Sequence, residues 1–348
     1  MAVLFISSLI YLHYGDQNTL RVGIFYGSNW EVPGTVHYEI LDQAIKKFES
    51  KYPNVKVEYE KGILSNDYSE WLSEQILKGT EPDVYLVLDE DLKNLDMLVG
   101  GDKEFDSNVF YSSVYKAGQY EGSQYALPME CNPTLMFVNK TLLQKEGIKV
   151  PDNDWTWDDF YDICKTIVKD SDGDGQMDQF GCYDYTWIQA VYSNGITPFN
   201  QSGTSSNFLD EKFSQSLEFV KRLEATNRNY QVTSNDFDLG KVAFRPFTFS
   251  DYRTYMPYPW RIKKYSGFEW TCIRMPAGPS GDNRSEMSAL MAGMSSRTEK
   301  KQCAWDFVKL LTTDTDIQKL VYEDTSAASV LKSVNTSQDT MNLLNKDT

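Results

Sequence analysis

Residues 20–60 hold three patterns in a row: LRVGIFYG, then TVHYEILDQAIKKFESKYP, then NVKVEYE. That order constrains the fold more than any other stretch of the chain. The first is a short apolar run ending in glycine, which reads as a strand. The second places Val36, Ile40, Leu41, Ala44, Ile45 and Phe48 at helical spacing, and Pro53 stops it. In the third, Val55, Val57 and Tyr59 alternate, as in a strand with one buried face. Strand, helix, strand predicts a parallel sheet of the α/β class, because two parallel neighbours need a crossover between them. A second helix is predicted over Asp67–Lys78, with Gly79 at its C-terminal cap, and PDVYLVLDED then reads as a buried strand running into acids. In open α/β sheets ligands gather at that polar C-terminal end.

The middle of the chain repeats the grammar. QYALPMECNPTLMFVNKTLL predicts two extended segments around Pro128 and Pro133 and then a short helix. PDNDWTWDDFYDICKTIVKD predicts an amphipathic helix capped by Asp154, with Trp157, Phe160, Ile163, Cys164 and Ile167 on one face. SQSLEFVKRLEATN and KKQCAWDFVKLLTTD are further helices, and GKVAFRPFTFSDY is a strand running into a loop. The alternation predicts two α/β lobes, and 348 residues suffice for both.

Composition excludes several functions. A net charge of −16 repels phosphate, which argues against nucleic acid as a partner. The histidines are His13 and His37, too few for His-based catalysis or a His-rich metal centre. Five dispersed cysteines form no CxxC pair and no disulfide framework. No HExxH, GxSxG, P-loop or GxGxxG occurs. The 22 Tyr and eight Trp supply flat apolar faces with polar tips, suited to a wet site for a polar ligand. The N-terminal MAVLFISSLIYLHYGDQ matches the apolar core of an export signal over residues 1–18, too short to span a bilayer.

Residues 170–181, DSDGDGQMDQFG, read as a calcium loop. Asp170, Asp172 and Asp174 take its first, third and fifth positions and Gly175 the turn at the sixth. The carbonyl of Gln176 and the side chain of Asp178 follow at the seventh and ninth. The twelfth position, normally a bidentate glutamate, is Gly181, and no second loop pairs with this one. Calcium here would be a structural strut, not a sensor.

The order of segments resembles the extracellular solute-binding proteins of ABC importers, in particular the sugar-binding family that includes maltose-binding proteins. AIKKFESKYPNVKVEYE, KGTEPDVYLV, LMFVNKTLL, WTWDDF, DGDGQMDQFG, GKVAFRP, IRMPAGPSG and SSRTEKKQCAWDFVKLLTTD carry the resemblance across residues 19–335. It implies a type II periplasmic-binding-protein fold, two lobes joined by crossing segments, with a carbohydrate in the interlobe cleft. Residues 19–129 plus 277–323 are then expected as lobe 1 and 130–276 plus 324–348 as lobe 2. The crossings fall near Met129–Asn132, Arg274–Pro276 and Glu323–Ser329. Beyond the third crossing the family has more helix than remains here, which implies an early end or a small second lobe. The chain is expected to act as a monomer, anchored at the outer face of a Gram-positive membrane or free in a periplasm, and to hand its ligand to a permease. In the calcium loop, the family places an acid just past the ninth position, where this chain has Gln179. Cys131 and Cys272 fall at two crossings and are expected as free thiols.

Sugars present apolar C–H faces and hydroxyl edges, so their sites combine aromatic platforms with carboxylates and amides. By position and chemistry together, the candidates are Trp30, Asp89 and Glu90 on lobe 1, and Glu130 and Asn132 at the first crossing. On lobe 2 they are Tyr183, Asp184, Tyr185 and Trp187 in CYDYTW, then Phe249, Asp251 and Tyr252. Tyr255, Tyr258 and Trp260 fit the cleft rim or the outside of lobe 2 equally well. Three rivals stay open. A glycosidase would use Asp89, Glu90 and Glu130; a calcium-stabilised adhesion module would use the DGDG loop; the same fold could take a polyol, peptide or phosphodiester. Arg245 and Arg253 keep an acidic sugar open too.

Overall fold

The computed structural model describes residues 18–25, 39–60, 63–88, 105–200, 203–255 and 267–345. The expected export segment and the candidates Trp30, Asp89 and Glu90 lie outside the described residues, as do Tyr258 and Trp260. Of the described residues, those up to Cys131 and from Ser288 to Asn345 form one compact unit, and those within Asn132–Met287 form the other.

The first unit follows the β-α-β reading. Strand β1 (Thr19–Gly23) leads to helix α1 (Glu39–Lys51), β2 (Lys56–Tyr59), α2 (Ser65–Lys78) and β3 (Val84–Val87). β1 pairs in parallel with both β2 and β3. Gly79 ends α2 in the left-handed region, at φ 68°, and donates its N–H to the Ile76 carbonyl, as a C-terminal glycine should. α3 (Ser112–Ala117) and the hairpin β4 (Gln119–Tyr120) and β5 (Ser123–Gln124) precede β6 (Ala126–Asn139). β6 is one 14-residue strand, where the prolines suggested two segments. Pro128 precedes the residues paired to β11 (Ala328–Ser329), and Pro133 falls between those and the stretch paired to β8 (Val242–Thr248), so neither interrupts those pairings.

β6 carries the chain into the second unit. There follow α4 (Lys140–Lys145), α5 (Trp157–Ile167), β7 (Phe180–Cys182), α6 (Trp187–Ser193), α7 (Glu211–Glu224), α8 (Ser234–Asp238), then β8, α9 (Phe249–Tyr255) and β9 (Trp270–Ile273). β8 and β9 each pair antiparallel to β6, and β7 pairs parallel to β8, so this sheet is mixed. Thr156 caps α5, its hydroxyl paired with Asp159, two residues beyond the expected Asp154. The reason is local: Thr-x-x-Asp closes a reciprocal cap that Asp154 cannot form with position 159. Trp157, Phe160, Cys164 and Ile167 are buried as the spacing predicts. Residues 249–255 are helical where a loop was expected.

β10 (Met287–Met294) returns the chain to the first unit, antiparallel to β3. Then come α10 (Lys301–Thr313), α11 (Thr315–Asp324), β11, α12 (Lys332–Asn335) and α13 (Gln338–Asn345). Phe307 meets Phe48 edge-on at 5.0 Å, Tyr52 donates to Asp306 at 2.8 Å, and Lys47 bridges Asp314 and Asp316 at 2.7 and 2.9 Å, fastening α10 and α11 onto α1.

Two expected boundaries are corrected. The return falls at Met287–Ser288, not near Arg274–Pro276, because the loop after β9 is stitched into the second unit. The Trp155 indole donates to the Arg274 carbonyl at 2.9 Å, and Asn283 donates to the carbonyls of Trp155 and Met275 at 2.8 and 2.9 Å. Residues from 324 onward belong with the first unit: β11 pairs with Glu130 and Cys131 of β6, and the Gln318 amide ties Ser329 to the Met129 carbonyl. All five cysteines are free. Burial pushes the thiols of Cys131 and Cys272 up to about 12, so both stay protonated at neutral pH.

Trp157 anchors the second core. Its ring stacks on Phe219 at 4.2 Å and 6°, and its indole donates to Ser193 at 3.2 Å. Trp157→Ala is expected to cost ~3–5 kcal/mol, read as a lower urea midpoint.

Candidate functional site

At the N-terminus of α6 the sequence DYTWIQ builds a small polar network. Thr186 donates both its backbone N–H and its hydroxyl to the Gln189 side-chain oxygen, at 2.9 and 2.7 Å. The Gln189 amide then donates to Glu286 Oε1 at 3.1 Å, which also accepts from Thr134 at 3.4 Å. With Thr186 held as cap, Trp187 is the first residue of the helix and lies 42% exposed, backed by Phe213 at 5.8 Å. Gln189, two positions further on, is buried, so its side chain serves the Thr186 cap and Glu286 while the indole faces out. Glu286 was not legible as a partner, since the loop that delivers it is nearly 100 residues downstream. The Thr-x-x-Gln cap was a readable local signal.

Tyr183 and Asp184 follow β7. Tyr183 is half-buried beneath the Arg245 guanidinium, 4.9 Å from its ring, and the Asp184 carboxylate lies 3.8 Å from Arg245. Asp184 has φ 63°, the left-handed region that aspartate tolerates better than bulkier residues. Both line a cavity of about 550 Å³ shared with Asn227 and Tyr230. Arg245 is also covered by Phe247 at 4.4 Å and Phe237 at 5.1 Å.

The other candidates make contacts within their own units. Tyr185 is core: its ring meets Phe160 edge-on at 5.1 Å, its hydroxyl lies 3.5 Å from Ser193, and burial raises its phenol pKa. The reason is local: the left-handed Asp184 breaks strand alternation between Tyr183 and Tyr185, so the two reach different clusters. Asp251 caps α9, accepting from Thr248 N–H and hydroxyl at 3.0 and 2.6 Å, so its carboxylate is spent on its own helix. Asn132 is buried and accepts the Ser250 N–H at 2.9 Å, which orients α9 from β6. Phe249 is nearly buried and stacks on Tyr252 at 5.6 Å; Tyr252 meets Trp270 edge-on at 5.4 Å, and burial raises its phenol pKa. Glu130 is buried in β6 beside Cys131.

In the calcium loop, carboxylate oxygens of Asp170, Asp172 and Asp174 lie within 4.8 Å of one another. Asp170 accepts the N–H of Gly175 at 2.7 Å and of Gly173 at 2.6 Å; Asp172 and Asp174 each accept from the residue two further on. The Gly175 N–H, chiefly, holds the Asp170 carboxyl below the usual aspartate value. Its stabilising bonds are thus fully present above the unfolded value of about 3.9 and are lost as pH falls through the lower folded one. Three clustered hard-oxygen donors fit calcium, which these aspartates would hold as a loop strut. Gln179 departs from the expected set: its oxygen accepts from Lys145 at 2.8 Å and its amide donates to Glu146 at 3.1 Å. Asp178 accepts from Ser171 at 3.1 and 2.9 Å.

No helix among the described residues is long and apolar enough to cross a membrane. The bacterial extracellular solute-binding protein family matches residues 33–317. The fold is similar to that of the cyclic α-maltosyl-1,6-maltose binding protein of Arthrobacter globiformis, with TM-score 0.73 and 15% identity over 94% of this chain and 83% of that one. The sugar-binding protein of the phytopathogen Xanthomonas citri is similar at TM-score 0.73 and 16% identity, over 93% and 82%. A receptor of Streptomyces glaucescens solved with acarbose is similar at TM-score 0.63 and 17% identity, over 93% and 83%. The match spans most of the chain, which therefore belongs to the bacterial extracellular solute-binding proteins.

Proposed function

We propose that this chain is the substrate-binding subunit of an ABC importer, taking up an oligosaccharide and delivering it to a membrane permease. The observation that carries the reading is Trp187, an indole 42% exposed at a helix start that the Thr186–Gln189 cap holds in place. An exposed indole face matches the apolar flat side of a pyranose. Family membership and solved relatives that bind maltosyl saccharides and acarbose support it. Binding, not bond cleavage, is the role in that family. The Asp170, Asp172 and Asp174 cluster is assigned a structural calcium ion.

The test is a thermal-shift screen of mono- and oligosaccharides, polyols and peptides, with calcium and with chelator. A saccharide at a hundred times its Kd should add about 2.7 kcal/mol, a rise of a few degrees. Trp187→Ala should weaken that saccharide about tenfold by calorimetry, ~1.4 kcal/mol, without lowering the ligand-free midpoint. A rise with peptides or polyols alone would sink the saccharide assignment. Calcium should raise the ligand-free midpoint, and Asp170→Asn should abolish that rise; a calcium response unchanged in Asp170→Asn would remove the ion from this loop.

A further inference from the structure

Arg245 lies in the middle of β8, and its side chain is only 17% exposed. It sits over the rings of Tyr183, Phe237 and Phe247. Its Nε–H is buried with no hydrogen-bond acceptor among the described residues. The carboxylate beside it, Asp184, stands 3.8 Å from Nη2, too far for a hydrogen bond. A buried donor without an acceptor is costly, and more so on a charged group. Rings offer a cation their negative faces but no lone pair at the edge of the guanidinium fork. That edge calls for an oxygen.

Tyr183 and Asp184 also line the cavity of about 550 Å³, together with Lys221, Glu224, Asn227 and Tyr230. All of them lie within the second unit. Asn227 brings a second unmet group to this wall: its Oδ1 is buried and no described donor reaches it. The charges here balance, Arg245 and Lys221 against Asp184 and Glu224. A simple anion would meet two carboxylates and a simple cation two basic groups, so Coulomb forces favour neither. A molecule carrying both signs meets its complement twice. The Asp184 side chain is 50% exposed, so its carboxylate can turn from the guanidinium toward such a molecule.

Going beyond the saccharide reading, we infer that this cavity binds a small zwitterion, an α-amino acid. Its carboxylate takes the edge of Arg245, whose planar fork matches two carboxylate oxygens. Its ammonium turns toward Asp184 and Asn227 and supplies the N–H donors that those oxygens lack. Tyr183 and Tyr230 offer flat apolar surface to the side chain. The volume falls in the range of small-molecule sites.

The test begins with a thermal-shift screen of the full chain against the standard L-α-amino acids. The amino acid with the largest response is then measured by calorimetry beside its N-acetyl derivative and its carboxamide, each of which removes one charge. At least one amino acid should raise the midpoint, and both derivatives should bind at least about tenfold more weakly, ~1.4 kcal/mol. Arg245→Gln and Asp184→Asn should each weaken the amino acid by a similar factor. Asp184 is half-exposed at φ 63°, a conformation that asparagine tolerates, so Asp184→Asn should melt as the parent does and decides the matter if Arg245→Gln does not fold. No response to any amino acid, or derivatives that bind as tightly as the parent compound, would overturn the assignment. An N-acetyl derivative that binds Asp184→Asn more tightly than the unaltered protein would make this a plain anion site and overturn the zwitterion. The saccharide screen is read separately, so each of these failures leaves that reading standing.

Discussion

The stitching of the loop after β9 onto Trp155 is the constraint on which the second unit depends. The Trp155 indole and carbonyl, with Asn283, hold residues 274–283 by bonds of 2.8–2.9 Å. Asn194 adds a bond to Ser280 at 3.0 Å, and Gly281 packs where a Cβ would lie 2.0 Å from the Ser193 carbonyl. The consequence is directional: the loop ends with Glu286 accepting from Gln189, and only then does β10 leave the unit. One set of polar contacts therefore sets the point of return and fixes Glu286 against Gln189. Such contacts are costly to leave unmade, so the loop has little freedom to settle elsewhere.

The acidic side chains divide by what their neighbours demand. Asp159 and Asp251 complete helix caps, and Asp170 is occupied by glycine N–H groups of its own turn. In the cavity of about 680 Å³ in the first unit, Glu81 pairs with Arg297 at 3.2 Å and Asp83 with Lys300 at 3.4 Å, so its charges answer one another. Asp184 and Glu286 differ: the first lies 3.8 Å from Arg245, and the second accepts from Gln189 and Thr134.

Aromatic side chains divide in the same way. Phe160, Phe219, Tyr185 and Trp157 interlock edge-on and stacked to fill one core, and Phe137, Phe180, Phe237 and Phe247 fill another. Trp187, Phe208 and Phe199 sit outside both, joined through Phe213. Composition alone could not sort them, because a ring in the core and a ring on the surface are the same residue type.

Local physics was legible in the chain. The β-α-β order named the α/β class, the 3.6-residue spacing picked the buried face of α5, and Gly79 marked the end of α2 because only glycine enters that backbone region freely. The order of short motifs pointed to the solute-binding family, and the Asp spacing at 170–174 placed three carboxylates together. Tertiary structure decided what depends on distant partners. Whether Tyr185 reaches the core and whether residues from 324 onward join one unit or the other rest on contacts across tens to hundreds of residues. No periodicity encodes those contacts, because hydrogen bonds such as Gln318 to Met129 or Gln189 to Glu286 exist only after the chain has brought the two ends together.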